Sequence, residues 1–236
     1  MRKLFYISFL ILLSLSAVSA QTTDLGQMFL ERGNRAAFSG NYERALNEYK
    51  NGLTFGESQK AVLHYNVGVC YYHLGFTDKA VAEYKTAIEL KKGEYNQAWY
   101  SLGMAYIQLR DSANAKTSFS KAIELSEGKD ANASFELGML SAKEGDYKTA
   151  IENFQRAIKH GGKRFPASHN NLGVMCAKIG NLAEAKRHFE IALKQSNGGL
   201  EEAVSNLQLS QNLLVLDSSA SIADLKLSAK NRLQNN

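Results

Sequence analysis

The sequence predicts an all-α fold, a right-handed α-solenoid of helix-turn-helix repeats, and a regular period is the main observation behind this prediction. Glycine recurs every 35 residues, at Gly33, Gly68, Gly103, Gly138 and Gly173. An alanine follows each glycine after 12 residues, and an aromatic residue follows it after 16. Apolar residues recur at helical spacing, and no segment alternates as a strand does. A fixed period of this length is typical of stacked units that are each too small to bury a core alone.

Each repeat is predicted to hold two helices joined by a tight turn. The turns are predicted at Gly40-Asn41, Gly75-Phe76, Arg110-Asp111, Gly145-Asp146 and Gly180-Asn181. Glycine lets the chain reach positive φ after a helix, and Asn or Asp caps the next helix. First helices are predicted over about 26–39, 61–74, 96–109, 131–144 and 166–179. Second helices are predicted over about 42–55, 77–91, 112–126, 147–160 and 182–195. The single proline, Pro166, starts a first helix, where its missing N–H leaves no bond unmade.

The repeated glycines need a physical reason, because glycine inside a helix costs about 1 kcal/mol relative to alanine. Five such positions predict that a neighbouring helix passes too close for a β-carbon. The alanines would supply the matching small surface, and they are Ala45, Ala80, Ala115, Ala150 and Ala185. The rings would fill the space between successive units, and they are Tyr49, Tyr84, Phe119, Phe154 and Phe189. These residues are therefore interpreted as a packing motif and not as a functional site.

The third repeat carries a family resemblance. It contains Trp99-x2-Leu102-Gly103-x2-Tyr106, followed by Ala115-x3-Phe119 and Ala122. This pattern resembles the tetratricopeptide repeat, whose period is 34 residues, and the extra residue here falls most simply in the loop between repeats. The resemblance covers residues 26–199 in five copies, although the tryptophan position holds Phe29, His64, Ser134 and His169 in the other repeats.

The resemblance implies that partners bind on a concave face lined mostly by the first helices. Some cytosolic members of the family hold a partner's terminal carboxylate with lysine and asparagine side chains. Only Asn34 and Asn170 occur in the corresponding rows here, with no lysine among their apolar neighbours. A role as a carboxylate-binding co-chaperone is therefore disfavoured.

The candidate partner-binding residues lie in rows of the first helices that the packing motif leaves open. Tyrosine, phenylalanine, methionine and isoleucine dominate these rows in the central repeats, and an exposed apolar stripe of this kind usually marks an interaction site. The candidates are Tyr65, Val69, Tyr72, His73, Tyr100, Met104, Ile107, Gln108, Phe135, Met139 and Lys143. The alternative is that the groove is filled by its own side chains or by the C-terminal tail.

The predicted domain organisation has three parts. Residues 1–20 form a signal peptide, residues 21–215 form the solenoid, and residues 216–236 form a tail. The solenoid divides into repeats over about 26–60, 61–95, 96–130, 131–165 and 166–199, with a capping helix over 200–215. The cap is predicted because Asn206-Leu207 repeats Asn171-Leu172. In the tail, Ile222, Leu225, Ala229 and Leu233 are spaced for a weak amphipathic helix, and the tail is expected to be loosely docked or disordered at its end.

The N-terminal segment predicts export. Arg2 and Lys3 precede an apolar stretch over residues 4–20, which ends in the small residues Val18-Ser19-Ala20. Cleavage before Gln21 is expected, and the alternative is that the segment is kept as a membrane anchor. No other segment is apolar enough to span a bilayer. The protein is expected to be periplasmic or associated with the cell envelope, with secretion left open.

Charge content argues against nucleic-acid binding, and the cysteine positions argue against a disulfide. Without Arg2 and Lys3 the chain carries 26 basic and 23 acidic residues, which is too balanced for a nucleic-acid-binding protein. Cys70 and Cys176 are three repeats apart, too far for a disulfide in a stacked array. Both are predicted to be small buried apolar residues.

Catalytic and metal-binding signatures are missing from the sequence. No two of the five histidines have metal-ligand spacing, and there is no Cys-x2-Cys, Gly-x-Ser-x-Gly or phosphate-binding loop. The sequence therefore predicts a non-enzymatic adaptor without cofactors that binds a peptide or protein segment. The alternative is a self-associating structural protein, as a homo-oligomer.

Overall fold

The computed structural model describes residues 25–55, 57–161, 165–216 and 222–228. This part of the chain contains eleven α-helices and no strand. They are α1 (25–38), α2 (Tyr42–Phe55), α3 (Lys60–His73), α4 (Thr77–Leu90), α5 (Asn96–Gln108), α6 (Ser112–Leu125), α7 (Ala131–Lys143), α8 (Tyr147–His160), α9 (Pro166–Lys178), α10 (Leu182–Gln195) and α11 (Glu201–Leu216). Short 3-10 turns cover Glu57–Gln59 and Ile222–Asp224. The predicted all-α fold is confirmed, and each predicted repeat helix agrees with the observed one to within one residue at either end.

The turns inside the repeats have the backbone geometry that their sequences predict. Gly40, Gly75, Gly145 and Gly180 lie in the left-handed region, with φ between 76° and 88°. Arg110 takes the same place in the third repeat, with φ of 60°. The following Asn or Asp caps the second helix in four of the repeats, as where the Asp146 carboxylate accepts a bond from the Thr149 N–H at 3.1 Å. The chain therefore reverses within two residues and returns along the first helix.

The chain forms two compact units, one ending at Ala115 and the other beginning at Lys116. In the first unit, Tyr49, Leu63, Val67 and Cys70 belong to one buried apolar cluster. In the second unit, the buried cluster runs from Phe135 to Leu225 and is centred on α9. Cys70 and Cys176 are both free and buried, so the prediction that they are small core residues is confirmed.

The repeated glycines are needed because a ring of the same repeat lies directly on them. A β-carbon at Gly68 would lie 2.7 Å from Tyr84 Cε1, and one at Gly173 would lie 2.6 Å from Phe189 Cε1. Gly33 and Gly138 make the same close approach to the rings of Tyr49 and Phe154. The alanines take part as expected, because the Ala80 carbonyl oxygen would lie 3.3 Å from a β-carbon at Gly68 and the Ala185 carbonyl oxygen 3.0 Å from one at Gly173, although the ring atoms lie closer. The alanines are fully buried beside them.

The C-terminal part of the structure differs from one expectation. Helix α11 corresponds to the predicted capping helix over 200–215. The weak helix expected from Ile222 onward does not form over residues 222–228, which make a single 3-10 turn and then an extended segment. Ala229 and Leu233, like the predicted signal peptide over residues 1–20, lie outside the described residues.

No helix in the described ranges is both long enough and apolar enough to cross a membrane.

Adding a β-carbon at Gly68 should destabilise the fold. The Gly68→Ala variant forces the Tyr84 ring to move, which typically costs about 1–3 kcal/mol and exceeds the gain in helix propensity of about 1 kcal/mol. We expect the Tm in thermal unfolding monitored by circular dichroism to fall by about 3–6 °C. Ser120→Ala, at an exposed position of α6, should leave the Tm unchanged or slightly raised. A Gly68→Ala Tm at or above that of the wild type would contradict the proposed role of the ring contact.

Candidate peptide-binding surfaces

In the first unit, the candidate residues of α3 and α5 form a half-buried aromatic and apolar surface. Val69, Tyr72, Tyr100, Met104 and Ile107 are all partly exposed, as the sequence analysis expected. Together with Tyr65 they are called here the first-unit surface.

Tyr65 connects this surface to the core. Its ring centroid lies 5.8 Å from that of Tyr84 and 5.3 Å from that of Tyr95. Its hydroxyl lies 3.4 Å from Ser101 Oγ. Burial raises the pKa of Tyr95 to about 12 and raises the pKa of Tyr84 as well. These two phenols, which lie beneath and beside Tyr65, therefore stay protonated at neutral pH.

His73 and Gln108 lie at the ends of α3 and α5 and are exposed. His73 stacks on the Tyr42 ring with centroids 4.2 Å apart and an interplanar angle of 6°. It also meets Tyr72 edge-on. Its ring is therefore already held against two neighbours, and it borders the first-unit surface.

Asn66 and Ser101 were missed by the sequence analysis. Each follows a residue of the first-unit surface, Asn66 after Tyr65 and Ser101 after Tyr100, and both are partly exposed. Asn66 Nδ2 lies 3.4 Å from Asn34 Oδ1, which also accepts a bond from the Tyr49 hydroxyl at 2.8 Å. These polar groups lie next to the aromatic row.

In the second unit, the structure corrects the prediction for Phe135. Phe135 is only 4% exposed, and its ring packs against Phe154 and Phe165 with centroids 5.8 and 6.3 Å away. It is therefore part of the core and not an anchor for a partner. Met139 is half-buried, and its sulfur accepts a bond from Asn171 Nδ2 at 3.0 Å. Lys143 is exposed at the end of α7.

The second unit holds an extended segment of its own chain against α9 and α11. The Asn171 side chain accepts a bond from the Ser228 N–H at 2.6 Å and donates to the Ser228 carbonyl at 2.9 Å. The Asn206 side chain binds Lys226 in the same way, at 2.8 Å to its N–H and 2.7 Å to its carbonyl. Each amide thus pairs with both main-chain groups of one residue, as a neighbouring strand would.

Asn170 joins the two amides into one network. Its Nδ2 donates to the Lys226 carbonyl at 2.9 Å and to Ser228 Oγ at 3.2 Å, and its Oδ1 accepts from Asn206 Nδ2 at 2.9 Å. Asn170, Asn171 and Asn206 are at most 1% exposed. We call these three residues the amide site. Their burial is tolerated because each amide is hydrogen-bonded.

The sequence contained two signals of the amide site. Asn171 and Asn206 occupy the same position of successive repeats, and Asn170 replaces the aromatic residue found at Tyr65, Tyr100 and Phe135. From the sequence, the first coincidence predicts only the capping helix. The tail is one predicted occupant of the groove, but no spacing in the sequence connects it with these amides.

Glu136 occupies the same repeat position as Asn171 but carries a carboxyl group. Burial raises the pKa of Glu136 to about 7, against the opposing effect of the Lys143 ammonium. The Glu136 carboxyl is therefore about half protonated at pH 7, and its protonated form can donate a hydrogen bond.

Two histidines of the second unit meet although they are distant in sequence. His169 Nδ1 lies 3.1 Å from His188 Nδ1, and His188 Nε2 lies 3.3 Å from Glu184 Oε1. Burial, followed by the proximity of His188, lowers the pKa of His169 to about 4. Burial also lowers the pKa of His188. Both rings are therefore neutral at pH 7, and one of the two facing nitrogens carries the shared proton.

Within the residues that the structure describes, no group of three or more His, Cys, Asp or Glu side chains is arranged to hold a metal ion.

Comparison with known proteins identifies the repeats. Two sequence profiles described as tetratricopeptide repeat match the chain, one over residues 97–129 and the other over residues 30–96 and 135–199. These matches agree with the resemblance carried by Trp99, Gly103 and Ala115. A sequence search of curated proteins finds no significant match.

Solved structures share the architecture. MamA from Desulfovibrio magneticus RS-1 aligns with a TM-score of 0.64 and 19% identity over 75% of this chain and 98% of that chain. YrrB, described as a tetratricopeptide repeat protein with an unusual peptide-binding site, aligns with a TM-score of 0.61 and 24% identity over 76% of this chain and 90% of that chain. TTC0263 from Thermus thermophilus aligns with a TM-score of 0.55 and 21% identity over 78% of this chain and 99% of that chain. At these identities the similarity establishes the fold alone.

Replacing the Glu136 carboxyl should stabilise the protein at high pH. The folded pKa of about 7 exceeds the ordinary value of 4.5, so stability is full below pH 4.5 and is lost as the pH rises through 7. Glu136→Gln should therefore raise the Tm at pH 8 by about 2–4 °C, since one unit of pKa shift corresponds to about 1.4 kcal/mol. The two proteins should have similar Tm values at pH 4.5. An equal Tm increase from Glu152→Gln, at an exposed position of α8, would contradict the assignment.

Acidification should weaken the fold at the histidine pair. The unfolded chain takes up a proton on His169 near pH 6.5 but the folded chain only near pH 4, so stability present above pH 6.5 is lost as the pH falls towards 4. Phenylalanine is the residue found at the same position of the first repeat, as Phe29. The His169→Phe variant should therefore fold, and its Tm difference between pH 7 and pH 4.5 should be smaller than that of the wild type by about 3 °C or more. His160→Gln serves as the control. An unchanged difference in His169→Phe would show that the pair does not govern this response.

Proposed function

The chain belongs to the tetratricopeptide repeat family, and on this premise we propose that it is a non-enzymatic interaction scaffold that binds an extended segment of a partner protein on its first helices. The observation that carries the proposal is that polar residues occupy the same position of successive repeats in both units. In the second unit, Asn171 and Asn206 bind the main chain of an extended segment. In the first unit, Asn66 and Ser101 occupy the same repeat position.

The first-unit surface adds apolar anchoring to these polar groups. Tyr100, Met104 and Ile107 are partly exposed on α5, next to Ser101, and Tyr72 and Val69 are partly exposed on α3. Tyrosine and methionine suit binding of apolar side chains, because tyrosine adds a hydroxyl group and methionine adapts its shape. The segment that fits is therefore extended, with apolar side chains towards the tyrosines and main-chain groups towards Asn66 and Ser101. The peptide-binding site described for YrrB, which has the same fold, supports a peptide as the ligand.

We place this activity in the cell envelope. The support is the N-terminal sequence alone, with Arg2 and Lys3 before an apolar stretch that ends in Val18-Ser19-Ala20. Mass spectrometry of the protein purified from its native cells should give a mature N-terminus at Gln21. Recovery of intact Met1 in a membrane fraction would instead favour the retained anchor.

Self-association is the second candidate function, and one observation favours it. The Phe38 ring, at the end of α1, is 96% exposed, and an apolar ring in water is a common contact between copies. This hypothesis predicts an oligomer that forms through the first repeat and needs no foreign ligand.

Variants of the first-unit surface should lose binding without losing the fold. Peptides selected from a random display library on the purified mature protein should bind Tyr100→Ala and Asn66→Ala at least about fivefold more weakly by fluorescence anisotropy, because truncating an anchor residue costs more than about 1 kcal/mol. Tyr65→Ala is less suitable, because its ring also packs on Tyr84 and Tyr95. Lys91→Ala, at an exposed position beyond α4, is the control.

Unchanged affinity in Tyr100→Ala and Asn66→Ala, with an unchanged Tm, would place the ligand on another surface. A selection that yields no binding peptide, together with sedimentation that shows an oligomer lost in Phe38→Ser, would favour self-association.

A further inference from the structure

We propose that the amide site of the second unit is an exchangeable binding site for an extended partner segment of the type Leu-x-Leu-Ser, and that residues 225–228 of the chain are its built-in competitor. This site lies in the second unit and uses residues different from those of the first-unit surface. The inference can therefore fail or succeed independently of the function proposed above.

Recognition at the amide site is directed to the main chain. Asn171 binds the N–H and carbonyl of Ser228, and Asn206 binds those of Lys226. Residues two apart in an extended chain present their main-chain groups on the same side. Any extended segment can make these four bonds, so the network selects a conformation more than a sequence.

The side chains of the bound segment define what a replacement must carry. Leu225 is 7% exposed and packs in the core of the second unit, and Leu227 and Ile222 pack partly against it. The Lys226 side chain is exposed, so this position accepts any residue. Ser228 is fully buried, with its hydroxyl bonded to Asn170 Nδ2, which leaves room for a small residue only. Residues 225–228 therefore define a four-residue pattern: an apolar residue, any residue, an apolar residue and a small residue.

The amide chemistry favours exchange over a permanent cap. A face that is always covered would be covered most stably by apolar side chains, because buried amides are costly unless they are paired. The site instead uses three asparagines, and water can satisfy them when the segment leaves. Among the apolar residues of 222–228, only Leu225 is buried.

The equivalent positions of other repeats support a specific site. The position of Asn170 holds Tyr65, Tyr100 and Phe135 in the three preceding repeats, and it changes to an amide at the repeat that holds the segment. Residues 217–224 connect α11 to the segment over residues 225–228. A short tether gives the segment a high effective concentration, on the order of millimolar, so an outside peptide must compete with it.

The test uses a fluorescently labelled peptide with the sequence of residues 220–230 and the full mature chain. By anisotropy, Leu225→Ala should bind the peptide at least about tenfold more tightly than the wild type, because the internal segment is loosened. The double variant Leu225→Ala/Asn171→Ala should bind the peptide at least about tenfold more weakly than Leu225→Ala does. Lys226→Ala, at an exposed side chain, should behave as the wild type does. A peptide with aspartate in place of its first leucine should not bind.

Equal affinity of the wild type and Leu225→Ala, or no binding to a folded Leu225→Ala, would overturn the proposal. Hydrogen exchange on the wild type gives a second test that needs no variant. The amides of Lys226 and Ser228 should exchange at least about tenfold faster than the slowest core amides of α9, since the segment opens locally. Exchange of both amides only through global unfolding would show a permanent cap. A concentration-dependent dimer that Leu225→Ala abolishes would assign the segment to a second copy and overturn the internal arrangement.

Discussion

The contact between a glycine of the first helix and an aromatic ring of the second fixes the geometry of each repeat. The ring lies where a β-carbon of the glycine would be, as at Gly68 with Tyr84 and Gly173 with Phe189. This close approach fixes both the spacing of the two helices and the rotation of the first helix about its axis. Rotation in turn decides which rows of the first helix face the core and which remain available to a ligand.

Because that rotation is shared, one repeat position can carry different chemistry without changing the fold. In the first unit the available rows pair tyrosines with Asn66 and Ser101. In the second unit the same rows carry Asn170 and Asn171, and an extended segment lies on them. A single backbone geometry thus provides an aromatic surface in one unit and a surface of amides in the other.

The second unit shows how buried polar groups at this position are made compatible with a core. The asparagines are satisfied by main-chain groups of residues 226 and 228, which they bind as a neighbouring strand would. At Glu136, burial instead favours the protonated form of the carboxyl group. His169 and His188 remain neutral for the same reason. In each case burial removes water from a polar group. The asparagines replace that water with hydrogen bonds to the main chain, whereas the carboxyl group and the imidazole rings shift towards their neutral forms.

The sequence by itself determined the repeat, the helix boundaries and the turns, because these depend on local spacing and on contacts within one period, such as Gly138 with Phe154. It also determined the partly exposed character of Tyr100, Met104 and Ile107, which follows from helical phase. Only the tertiary structure decided the fate of Phe135, which is buried against Phe154 and against Phe165, the residue just before α9. Only the tertiary structure brought Asn171 and Asn206 to an extended segment, since no sequence period relates them to Lys226 and Ser228. Local periodicity specifies which face a residue is on, whereas the chain that covers that face comes from elsewhere in the sequence and is fixed by packing.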